Sequence, residues 1–430
     1  VVRVHGDAVV AVLPGAAVGD GVRICRPGGG RVAAVVTGVE RARVRLALFS
    51  EVTGIGVGDR VEAAPEALAV PLGFALLGRG IDAAGEPLDG GAALPSRIPS
   101  GAYRAGPPDG EVPAPDRRAP VDTPLWTGVR AIDGLLALGR GARVGIFGPP
   151  GAGKSSLVEA IVAGARADAV VLALIGERGR EAARWLERLD PRTTIVCATS
   201  DRTPSERIRA AEIAMAQAVA LRDHGLHVLI VIDSLARYAA ALRERRIAAA
   251  EPAGRGGYPS GVWSDLARYV ERAGCTADGS VTALATVLSE SDDEHDPLAE
   301  AARSLLDGHV LLAADLANAG RFPAIDVLRS ASRTMSGVVS AEHARAAASV
   351  RAALASLAAT RDARELGFAV PPAVAALVAC EAELEAFLRA PGPSDPAETR
   401  RGLAMLGRSL ASAASGVPLP PAPHDAMERA

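Results

Sequence analysis

The sequence predicts an α/β fold in which a mainly parallel sheet is covered by helices on both faces. A small N-terminal β-barrel precedes it and a C-terminal α-helical domain follows. Three observations predict this. From about 125 to 335, unbroken apolar runs of strand length alternate with helix-length segments. Before about 70, short apolar runs are separated by Gly-rich turns. After about 340 the chain is Ala-rich and helical in pattern. The expected domains are 1–70 (β-barrel), 71–340 (the α/β domain, with a wrapping linker over 71–124) and 341–430 (helical domain with a mobile tail). The 430 residues are 49% hydrophobic but only 3% aromatic, so the core must be built from Ala, Val, Leu and Ile.

Each segment supports its assignment. VVRVHGDAVVAVLPG, VRICRPGGGRVAAVVTGVE and RVRLALFS have the spacing of small barrel strands. The Gly- and Pro-rich stretch from Pro71 to about Pro124 reads as a linker around the next domain. The predicted sheet strands are 142–147, 169–175, 193–199, 227–233, 280–288 and 309–315. Ser340 should cap a helix to about Arg364, and Pro371-Pro372 should break the chain before a second helix. Asp395-Pro396 supplies an N-cap and a first-position Pro for a third.

Composition excludes several functions. A net charge of −3 gives no electrostatic case for a nucleic-acid partner. Cys25, Cys197, Cys275 and Cys380 are far apart, which fits reduced cytoplasmic thiols better than a disulfide framework or zinc site. No apolar run reaches the ~18 residues of a membrane span. The chain begins with Val, so an N-terminal piece is expected to be missing.

Of the 47 Lys and Arg residues only one, Lys154, is a lysine. It lies in GPPGAGKSS, where Gly148, Pro149, Pro150, Gly151, Ala152, Gly153, Lys154 and Ser155 match G-x-x-x-x-G-K-[ST] and Ser156 follows. A predicted strand precedes this loop and a predicted helix follows, the context the pattern requires. Backbone N–H groups and the helix N-terminus would hold phosphate oxygens. Lys154 would contact the β- and γ-phosphates, and Ser155 would offer an oxygen to Mg²⁺. A compact ammonium suits such a cradle, whereas the planar guanidinium fork is too large for it. Asp233 ends HVLIVID and reads either as a carboxylate for the Mg²⁺ shell or as a helix cap. Glu177 follows the strand 169–175, at the same edge of the sheet, and reads either as the group that orients attacking water or as part of a solvated ion cluster with Arg178, Arg180 and Glu181. SESDDEHD (289–296), with His295, reads as a solvated acidic loop.

TGVRAIDGLLALGRGARVGIFGPPGAGKSSL (127–157), IGERGRE (175–181), ATSDRTPSERIRAA (198–211), DSLARYAAALRE (233–244), GGYPS (256–260) and DGHVLLAADLANAGRFPAIDVLRSASR (307–333) together resemble the protein-export ATPases of type III secretion systems, flagellar or injectisome. These enzymes are related to the alpha and beta subunits of rotary ATP synthases. The resemblance spans roughly 1–340. It implies a RecA-like P-loop ATPase domain and a homohexamer with ATP and Mg²⁺ bound between subunits. It implies that Glu177 is the catalytic glutamate, Asp233 the Walker B aspartate, Arg333 an arginine finger for the neighbouring subunit and Phe322 the aromatic on the adenine; Arg178 is expected at the nucleotide. Expected partners are stator and stalk proteins and chaperone–effector complexes. The expected location is cytoplasmic, peripheral at the inner-membrane export gate. The chain departs from the family at Pro149 and Pro150, at Ala285 where an aromatic is common, and at LGFAVPPAV (366–374) in place of a Tyr-x-x-Gly-x-x-Pro stretch. Rival readings are a catalytic subunit of a rotary ATP synthase, a ring-shaped RNA translocase, and an inactive nucleotide-binding subunit.

Overall fold

The computed structural model describes residues 1–5, 8–49, 52–64, 69–94, 112–288, 296–389 and 393–415. The acidic loop with His295, part of the linker and the Pro-rich tail from 416 lie outside these residues.

The N-terminal strands are β1 (Arg3–His5), β2 (Ala8–Val12), β3 (Gly21–Cys25), β4 (Arg31–Glu40), β5 (Arg43–Leu48) and β6 (Arg60–Ala63). They form an antiparallel sheet in the order β1-β2-β5-β4-β3-β6. Alternate residues point inward, so Val9, Ala11, Val22, Ile24, Val44 and Leu46 share one core. A bulge between Val36 and Gly38 bends β4. The ends of the order meet where Gly58 N–H donates to the Val1 carbonyl at 2.9 Å. The apolar alternation thus produces the expected curled sheet around one core.

Further along, the described strands are β7 (Arg79–Asp82), β8 (Pro124–Leu125), β9 (Leu138–Gly139), β10 (Arg143–Gly148), β11 (Ala169–Ile175) and β12 (Thr193–Ala198). They continue with β13 (His227–Asp233), β14 (Gly274–Cys275), β15 (Ser280–Leu288), β16 (Gly308–Leu312) and β17 (Ile325–Ser332). The chain divides into two compact units, one of 1–122, 140–150 and 167–309, the other of 123–139, 151–166 and 310–430.

In the first unit, β10, β15, β13, β11, β12 and β7 lie side by side and all parallel. Every residue of β11 and β12 is buried, as is β13 up to Asp233, which is why these segments read as unbroken apolar runs. β7 is the structural surprise. It comes from the segment read as a linker, yet it extends the sheet beyond β12. The helix Pro204–Asp223 packs on β11, β12 and β13. Its start is a capping box: Thr203 Oγ1 accepts from Glu206 N–H at 3.2 Å, and the Glu206 carboxylate accepts from Thr203 N–H at 2.9 Å.

In the second unit, β8 and β9 pair around the helix Arg130–Leu135. Asp133 is buried there and accepts from Thr127 N–H, Thr127 Oγ1 and Gly128 N–H. Gly128 has φ +79°, and a Cβ on it would lie 2.9 Å from Gly164 Cα, so the loop can approach the end of the helix Lys154–Gly164 only as glycine. Leu311 N–H donates to Ser330 Oγ at 2.9 Å, tying β16 to β17. β16 stops at Leu312, earlier than the run HVLLAAD suggests, and Ala314 opens a short helix. The helix Ala341–Ala359 starts at the expected cap, Ser340, and packs against the helix Pro396–Ser415. Between them Pro372 opens the helix Pro372–Ala379.

Candidate nucleotide-hydrolysis site

In the second unit, Gly153 caps the helix Lys154–Gly164 in a left-handed conformation, φ +86°, and Gly151 has φ +83°. Only glycine adopts such angles freely, so the backbone can curl and present its first-turn N–H groups. A Cβ on Gly153 would stand 3.3 Å from the Phe322 ring, which fixes the expected adenine aromatic against the phosphate loop. Phe322 is 51% exposed, unusual for a large apolar ring and suited to receiving a planar base. Within the loop Ala152 is buried, Ser155 and Ser156 are exposed, and Lys154 Nζ is buried. Pro149 precedes Pro150 after β10 without disturbing either glycine.

Arg333 follows the last residue of β17 and is exposed, with no hydrogen-bond or ion-pair partner among the described residues. Its neighbours are pinned. Ser332 Oγ donates to the Ala137 carbonyl at 2.7 Å, and Thr334 Oγ1 accepts from Gly139 N–H at 3.1 Å. The arginine is therefore mounted on rigid backbone.

In the first unit, two carboxylates sit at the carboxyl ends of adjacent parallel strands, where open α/β sheets place ligands. Glu177 follows β11 through Gly176, whose φ is +71°; a Cβ there would lie 2.6 Å from Arg237 Cδ. This close approach brings Arg237 Nε to 3.4 Å from Glu177 Oε1. The Glu177 side chain is only 14% exposed. Burial, then the Asp233 charge, pushes its carboxyl up to about 7, and Arg237 opposes the rise. Arg178 and Glu181 do pair, at 3.8 Å, with Arg178 exposed and Glu181 half-buried. Glu181 also reaches Glu177, and its hydrogen bond and charge add to the rise.

Asp233 ends β13. The cap of the following helix Leu235–Ala248 is Ser234, whose Oγ accepts from Arg237 N–H at 3.3 Å, so capping does not explain Asp233. Asp233 Oδ1 accepts instead from Thr286 Oγ1 at 2.5 Å. Carboxylate and hydroxyl oxygens, as at Asp233 and Ser155, are the hard donors that suit Mg²⁺. Among the described residues no cluster of three His, Cys, Asp or Glu could hold a metal by itself. Sequence reasoning missed Arg237 and Thr286. Both meet their carboxylates through proximity across strands and turns; Arg237 lies in the stretch DSLARYAAALRE but no role was read for it, and Thr286 lies in no quoted motif.

The model of the ATP synthase alpha/beta family nucleotide-binding domain matches residues 128–332. A type 3 secretion system ATPase of Xanthomonas euvesicatoria is 44% identical over 75% of this chain and 73% of its own length. The chain belongs to the type III export ATPase family. A second family member, the flagellum-specific ATP synthase of Treponema pallidum, is 40% identical over 97% of this chain and 95% of its own length. The export ATPase EscN from the enteropathogenic E. coli type III secretion system, solved as an assembly, superposes with a TM-score of 0.86 at 37% identity, covering 94% of this chain and 99% of that one. EscN has also been solved in complex with its central stalk EscO. As a type III export ATPase, the chain is an ATP-hydrolysing enzyme that serves protein export.

Proposed function

We propose that the chain hydrolyses Mg²⁺-bound ATP in a homohexameric ring and that each predicted site residue has a distinct task. The loop from Gly148 to Ser156 holds the phosphates, Phe322 stacks on the adenine, and Arg178 lies beside the nucleotide. Lys154 offsets charge on the β- and γ-phosphates. Ser155 and Asp233 hold Mg²⁺, which when bound neutralises charge building on the phosphate oxygens. Glu177 orients the attacking water and accepts its proton. Arg333 is supplied in trans and stabilises the γ-phosphoryl oxygens.

The observation that carries this reading is Glu177: a carboxylate held in a defined place by Arg237, with its proton affinity raised into the range of a working base. The test is steady-state hydrolysis by the purified chain and by Glu177→Gln. Wild-type turnover that rises with protein concentration and needs Mg²⁺, together with turnover lost in the variant, is expected. Unchanged turnover in Glu177→Gln would overturn the assignment.

Self-assembly and a central stalk partner are carried over from EscN. Stator proteins, chaperone–effector complexes and a peripheral site at the inner-membrane export gate belong to the same reading. Chaperone release and substrate unfolding would follow from changes in subunit packing around the ring. Among the described residues no helix is long and apolar enough to cross a membrane.

A further inference from the structure

β15 lies between β10, which leads into the phosphate loop, and β13, which ends at Asp233. The register sets Thr286 beside Ile146 on one side. On the other, Ile232 is opposite Ala285, so Asp233 and Thr286 are the next pair and project to the same face. Thr286 is fully buried in a strand, SVTALATVL, whose only other threonine, Thr282, is used by Gly141: its Oγ1 accepts from Gly141 N–H at 2.7 Å. The Thr286 hydroxyl has one proton to give. The Ile232 carbonyl is 3.5 Å away and the Asp233 carboxylate 2.5 Å, so the proton goes to the carboxylate.

From this geometry we infer that Thr286 is a positioning residue for the metal site: its hydroxyl fixes the rotation of the Asp233 carboxylate and so sets the affinity of the nucleotide-loaded enzyme for Mg²⁺. This rests on the reading of Asp233 given above. A carboxylate on a single Cβ can rotate freely. A short charge-assisted bond from a buried, β-branched side chain, itself restricted in χ1, holds one orientation before the ion arrives. Outer-shell partners of this kind typically change metal affinity about 10- to 100-fold when removed.

The experiment compares wild type with Thr286→Val, which keeps shape and loses the hydroxyl, and Thr286→Ser, which keeps the hydroxyl. The probe is a fluorescent ATP analogue, titrated first in EDTA and then with increasing MgCl₂. In EDTA all three proteins should bind it equally. The Mg²⁺ concentration giving half of the metal-dependent response should rise about 10-fold in Thr286→Val and return to wild type in Thr286→Ser. If Thr286→Val does not fold, Thr286→Ala takes its place against Thr286→Ser. A wild-type protein that binds the analogue but ignores Mg²⁺ defeats the underlying reading of Asp233. A wild-type response to Mg²⁺ with an unchanged half-point in the valine or alanine variant overturns the role of Thr286.

Discussion

At the scale of single residues, the site is built from groups whose environment alters their chemistry. Glu177 shows this most clearly. Its carboxyl is raised to about 7, first by burial and then by Asp233. A base must be deprotonated to work, so if Glu177 is the base, as proposed, activity should be lost as pH falls through that value and regained as it rises. The pH profile of kcat/KM, which reports the free enzyme, is expected to have an acid limb near 7 with a tenfold fall per unit below it. A limb near 4 would mean that another group controls proton transfer. Replacing Glu177 by Gln should lower kcat by about 100- to 10,000-fold while leaving nucleotide affinity in place. Lys154 is the second case. Its ammonium nitrogen is buried, at the one position where this arginine-rich chain uses lysine. Lys154→Arg keeps the charge but replaces a compact ammonium by a larger planar fork, and if the loop cradles phosphate, as proposed, hydrolysis should be abolished. Near-normal turnover in that variant would show that the loop does not cradle phosphate.

At the scale of elements, stability and legibility follow from the same burial. The strands β11 and β13 have the bounds that the sequence predicts, because parallel strands covered on both faces must be apolar throughout. The helix Pro204–Asp223 falls among the helix-length segments between strands, but its capping box, a local pattern, went unread. Thr203→Ala should remove that cap and cost about 1 kcal/mol, read as a lower urea midpoint with little change in turnover per folded site. β17 was less legible. In IDVLRSAS exposed residues interrupt buried ones, so the run lacks the continuous apolar signal of its neighbours. β7 was hidden for a different reason: four residues in a Gly- and Pro-rich stretch carry too little pattern to announce a strand. The candidate site divides the same way. Gly153, Lys154 and Asp233 stand in motifs whose spacing is the signal. Arg237 and Thr286 are brought to their carboxylates by a tight glycine turn and by strand register, and both exist only once the sheet has formed.

At the scale of the whole molecule, Arg333 is the residue whose proposed role needs a second chain. Arg333 is exposed, is held between two pinned neighbours, and has no partner among the described residues. A surface charge could look the same, but a surface charge has no reason to be mounted so rigidly. If the arginine serves the neighbouring subunit, then Arg333→Ala chains still carry a working Glu177, and Glu177→Gln chains still carry a working Arg333. Each variant alone should be nearly inactive. Rings assembled from an equal mixture of the two should regain activity. A productive interface needs its glutamate from an Arg333→Ala subunit and its arginine from a Glu177→Gln subunit, which random assembly supplies at about one quarter of interfaces. Specific activity of the mixture should therefore climb to about a quarter of wild type if sites act independently, and to less if firing around the ring is cooperative. Recovery should disappear when the two variants are mixed too dilute to associate. If Arg333 acted on the nucleotide of its own chain, every subunit in the mixture would lack one essential group, and no ratio or concentration would restore turnover.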